Sequence, residues 1–81
     1  MVTLRFELPL NFSIVYTGYT HLKEAEEAFK AVDDPIFDCW IVEVFNAVSK
    51  FYVVMPRETF DILRRYEFTL FNRRWEIARY K

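Results

Sequence analysis

Two neighbouring segments, 39–45 and 51–55, are apolar on both faces, and any fold of this chain must cover them twice over. In the first, Trp40, Val42 and Val44 alternate with Cys39, Ile41, Glu43 and Phe45. In the second, Phe51, Val53 and Met55 alternate with Tyr52 and Val54. Their β-branched and aromatic content predicts two strands joined by a short turn near Asn46 to Ser49. A strand with one face to the core and one to water alternates apolar with polar. Apart from Glu43, these two do not.

The flanking segments read more conventionally. Residues 2–8 alternate Val2, Leu4, Phe6 and Leu8 with Thr3, Arg5 and Glu7, the pattern of a half-buried strand. After Pro9 and Asn11 the period of two resumes through Phe12, Ile14 and Tyr16, which predicts a second strand over 12–19 or one bent strand. The hairpin is preferred, because proline cannot donate to a ladder. Thr20 is the expected N-cap of a helix in which Leu22, Ala25, Phe29 and Val32 recur at helical spacing and Glu24, Glu26, Glu27 and Lys30 face water. Pro35 disfavours helix at Asp34, so this helix should end between Val32 and Asp34. A second helix over about 57–66 opens with Pro56 in its first turn and carries a Phe60, Leu63, Tyr66 stripe. Strand character returns in a short segment at 68–71 and a longer one at 74–80, with Asn72-Arg73 as a turn between them.

The order β(β)αββαβ predicts a single α+β domain over residues 1–81. The expected architecture is two-layer, with an antiparallel or mixed sheet and both helices on one face, a ferredoxin-like or split-βαβ arrangement. Two helices on one side would leave the second face of the central strands bare. Exposing their large side chains would forfeit about 1.5–3 kcal/mol each. Three closures are open: the terminal strands curl over that face, a small molecule occupies it, or a partner covers it. The partner would be a second copy of the chain or another protein, docking on Ile41, Phe45, Tyr52 and Val54. Homodimers are the commonest way such patches close. The surplus of apolar residues (53%, with 20% aromatic) points the same way.

The charges nearly cancel, 11 basic against 12 acidic, which argues against coating nucleic acid by bulk attraction. They are unevenly placed: residues 1–45 hold three basic and eight acidic side chains, and residues 46–81 hold eight basic and four acidic. Arg64, Arg65, Arg73, Arg74, Arg79 and Lys81 interleave with Tyr66, Phe68, Phe71, Trp75 and Tyr80. Guanidinium forks bind phosphate and aromatic faces stack on bases, so these residues, Tyr80 included, form an alternative nucleic-acid surface. The aromatic-and-glycine signature of sheet-face RNA binders is missing.

Catalytic and cofactor signatures are sparse. Gly18 is the only glycine, which leaves no phosphate loop or dinucleotide fingerprint. One His and one Cys give no zinc set, and no nucleophile–base pair is expected between Cys39 and His21. Asp33, Asp34 and Asp38 are expected to be a solvated acidic connection rather than a cation site, since the EF-hand spacing is absent. No catalytic residue, metal or cofactor is expected. A lone cysteine excludes an internal disulfide, no segment has the ~20 apolar residues of a membrane span, and Arg5 and Glu7 spoil a signal peptide. An intracellular, cytoplasmic protein is expected. In size and aromatic-rich style the chain is similar to small virus- or mobile-element-encoded proteins that bind and block a host complex. The expected function is a non-enzymatic interaction module, homodimeric through the apolar sheet face.

Overall fold

The structure, a computed structural model, describes residues 1–32 and 38–81. Strands β1 (Val2–Leu8) and β2 (Phe12–Gly18) form the expected hairpin, paired from Val2–Gly18 to Leu8–Phe12. Pro9–Asn11 turns the chain between them, with Leu10 and Asn11 at φ 65° and 58°. Asparagine tolerates that left-handed region, but leucine rarely enters it. Helix α1 (Leu22–Ala31) starts one residue later than expected. His21, not Thr20, holds the N-cap position and makes no side-chain cap, while its carbonyl accepts from the amides of Glu24 and Ala25 at 3.1 and 3.3 Å. The helix ends at Ala31, and Asp33, Asp34 and Pro35 lie outside the described residues.

Strands β3 (Cys39–Phe45) and β4 (Lys50–Pro56) pair along their whole length. Asn46 Oδ1 closes their turn by accepting from the amides of Val48 and Ser49, both at 2.9 Å. Helix α2 (Arg57–Arg65) follows directly; Pro56 is the last residue of β4 and takes the N-cap position rather than the first turn. The tail forms three short strands, β5 (Thr69–Leu70), β6 (Arg73–Arg74) and β7 (Glu76–Arg79). The two-residue turn between β5 and β6 is Phe71-Asn72, not Asn72-Arg73. Both residues have positive φ (53° and 60°), as the tight hairpin turn that matches strand twist requires.

These strands make two antiparallel sheets, ordered β2-β1-β5-β6 and β4-β3-β7. At one seam Tyr19 and Tyr52 exchange backbone hydrogen bonds of 2.8 and 2.7 Å. At the other the chain itself passes from β6 to β7 through Trp75. Between the sheets lies one core: Leu4, Phe6 and Leu70 from the first, Val42, Val44, Val53 and Met55 from the second, with Phe60 and Leu63 of α2 packed into it.

The expectation of one sheet with both helices on one face is therefore corrected. Trp40 meets Phe60 of α2 at 5.3 Å between ring centroids, so the even-numbered face of β3 turns to α2 and the first sheet. The opposite face turns to α1: Ile41 and Ala25 are buried outside the main core, and Val54 adjoins Ala28, Ala31 and Val32. The physical reason is the double apolar pattern itself. Strands apolar on both faces need cover on both, and α1 supplies one side while the second sheet and α2 supply the other. The described residues form an α+β domain with two helices and two antiparallel sheets.

Candidate protein-interaction surface

The sheet face expected to meet a partner is partly covered within the chain. Ile41 is 0% exposed and cannot reach a partner while α1 is in place. Val54, its register neighbour, is half-buried, as are Tyr52 and Phe45. What stays open is mixed in character. Tyr52 meets Tyr80 edge-on at 6.1 Å, and the ion pair of Lys50 with Glu43 (3.7 Å) crosses the same face. The structure therefore brings Tyr52 and Val54 together but removes Ile41 from the surface.

The basic residues of the C-terminal region fall in several places. Arg64, Arg65 and Arg74 line a cleft of about 280 Å³ with Tyr66 and Trp75, but Glu67 and Glu76 line it too. Arg74 Nη2 donates to Glu67 Oε1 at 3.0 Å. Arg79 lies over the Trp40 ring, 3.8 Å from its centroid, and Arg73 is exposed on β6. Lys81 and Tyr80 are tied to β3 through the backbone of Ile41. Tyr80 turns to Tyr52 rather than toward the arginine-lined cleft.

Among the described residues a further exposed apolar surface lies where the β1–β2 turn meets α2. Leu8, Pro9, Leu10, Phe12, Ile62 and Tyr66 line a cleft of about 460 Å³, and Arg65 is the one charged side chain in its lining. Leu10 is 98% exposed and Phe12 is 60% exposed, with Ile62 and Tyr66 also open to solvent. Two local features build it. The positive φ of Leu10 turns its side chain out of the hairpin, a strained backbone state that needs a surrounding constraint. On α2, Phe60 and Leu63 take the buried stripe and leave Ile62 on the outer face. Tyr66 belongs to that stripe by spacing, but the chain leaves the helix there (φ −113°, ψ 147°) and carries the ring outward.

Sequence reasoning missed this cleft. Its one signal was the Pro9-Leu10-Asn11 turn, which places a large apolar residue where turns normally carry small or polar ones. Among the described residues no three His, Cys, Asp or Glu side chains assemble as metal ligands, and no helix is long and apolar enough to cross a membrane. No family model, curated protein or solved structure matches the chain.

Proposed function

We propose that this chain is a non-enzymatic protein-interaction module that acts by occupying a partner through the Leu10–Phe12–Ile62–Tyr66 cleft. One observation carries the reading: four large apolar side chains of a chain with a well-filled core stand exposed together around a single concavity. Contiguous apolar surface of this kind is unfavourable in water unless something covers it, and it marks interaction sites. Its volume and predominantly apolar lining suit one or two anchoring side chains. The occupant is a segment of another protein with an apolar anchor beside an acidic group. Charge complementarity supports that choice, because among the described residues the lining holds Arg65 and no carboxylate, and Arg65 has no ion-pair partner.

The test is selection from a random peptide library on the immobilised protein, followed by anisotropy titration of the enriched peptides. Peptides with an apolar residue next to Asp or Glu are expected. Ile62→Asp and Leu10→Ser should each weaken their binding about tenfold or more, the loss of ~1.4 kcal/mol or above. No enrichment, or enriched peptides indifferent to both substitutions, would remove this reading.

A further inference from the structure

Four strands form the outer edges of the two sheets: β2 and β6 of one, β4 and β7 of the other. An open edge presents unpaired amides and carbonyls to any other strand, and folded proteins blunt it with brevity, charge or proline. Three of these edges carry such a device. β6 is two arginines long, β7 carries Glu76 and Arg79, and β4 is bounded by Lys50 and Pro56 and bonded by Tyr19. β2 carries none. Its seven residues, FSIVYTG, include no charge and no proline.

The geometry of β2 leaves the Ser13 to Val15 part of that edge available. Tyr19, just beyond the strand, bonds away from β1 to Tyr52. Backbone direction alternates along a strand, so the amides and carbonyls of Ser13, Val15 and Thr17 also point away from β1. Among the described residues no backbone bond reaches them from that side. Their side chains lie on the solvent face, and Val15 is 51% exposed.

We propose that the chain self-associates by antiparallel pairing of β2 with the β2 of a second copy, extending the four-stranded sheet across a two-fold axis. A second copy fits because the strand is its own complement. An antiparallel two-fold register about Ile14 sets Ser13 against Val15 on the solvent face, uncharged side chains against uncharged ones, pairings that support an antiparallel ladder. A strand of such length buries less than a standard interface, so the dimer is weak and appears with concentration. The cleft shares Phe12 with β2, so the two surfaces are told apart by Val15, which is not in the cleft's lining, and Ile62, which is not in β2.

Sedimentation from ~10 µM to ~1 mM tests it, a range that brackets a weak self-affinity. Four proteins are compared: native, Val15→Lys, Val15→Pro and Ile62→Asp. Proline suits position 15 because the amide it removes points outward. The mass of native protein and of Ile62→Asp is expected to rise from 9.9 kDa toward twice that value. Both Val15 variants are expected to stay at 9.9 kDa with unchanged circular dichroism. Should Val15→Pro unfold, Val15→Lys carries the comparison alone. In the native protein the Val15 amide should exchange more slowly at the higher concentration. A native mass of 9.9 kDa throughout overturns the proposal. So does dimer mass that persists in Val15→Lys, or dissociation caused by Ile62→Asp and not by Val15→Lys, which would move the contact to the cleft.

Discussion

Leu4 lies so close over Gly18 that a Cβ at position 18 would stand 2.6 Å from Leu4 Cδ1 and 2.8 Å from its Cγ. Both residues are fully enclosed, and Gly18 is the last residue of β2 before Tyr19 crosses to β4. The only glycine of the chain therefore sits beneath a leucine of the neighbouring strand, next to the seam between the sheets, and close approach rather than backbone freedom explains it.

Gly18→Ala should destabilise the fold by about 1–3 kcal/mol through overpacking. Leu4 has no free space into which to retreat, being 0% exposed. Leu4→Ala removes the obstructing atoms, so the double variant should lose less than the sum of the two single losses. Urea unfolding of all four proteins checks this; strict additivity would mean that the backbone shifts instead.

Trp75 makes the second junction. Its indole Nε1 donates to the carbonyl of Leu70 at 3.0 Å, and its ring meets Phe51 at 5.7 Å and Phe71 at 6.4 Å. The first sheet, the second sheet and the β5–β6 turn are thus pinned by one side chain. Trp75→Phe keeps the ring contacts and loses the hydrogen bond, an expected loss of ~1 kcal/mol. Trp75→Ala should lose at least twice as much. Equal midpoints for the two variants in guanidinium would show that the ring contributes nothing.

Arg79 is engaged in the fold. Its guanidinium stacks on Trp40, which also meets Phe60, so α2, β3 and β7 converge on one indole. Arg79→Gln should lower stability by about 0.5–1 kcal/mol, the scale of an exposed cation–π contact. Arg79→Lys should retain part of it. Thermal unfolding of the three proteins, with Trp40→Leu as a background in which Arg79→Gln has no effect, separates the contact from loss of surface charge.

Much of the local structure was legible because it is written in periodicity. Val2 to Leu8 alternates and forms β1, Leu22 to Phe29 follows helical spacing and forms α1, and the β-branched runs form β3 and β4. The division into two sheets was not legible, since it depends on Tyr19 pairing with Tyr52 and on the turn at Trp75, both tertiary events. Periodicity shows that α1 has an apolar stripe but not which sheet face receives it. For that reason Ile41 was expected at a docking surface and is instead sealed beneath α1. The exposed cleft escaped for a related reason. Phe12 shares the alternation of Ile14 and Tyr16, yet it stands at the end of β2, where the facing sheet no longer covers it.

The cleft and the basic C-terminal region carry different arginines. Arg65 lines the cleft, whereas Arg73 and Arg74 stand on β6 with Arg74 neutralised by Glu67. For acid-bearing peptides selected on the native protein, Arg65→Ala should weaken binding several-fold, and the difference should shrink as salt rises, because an exposed ion pair is screened. Arg73→Ala combined with Arg74→Ala should leave that affinity within about twofold, since neither residue lines the cleft and Arg74 is paired with Glu67. The same double variant tests the nucleic-acid reading by titration with single-stranded RNA. Binding by that surface would weaken steeply with salt and drop in the double variant. The cleft reading predicts instead that RNA binding is negligible at physiological salt and indifferent to both arginines.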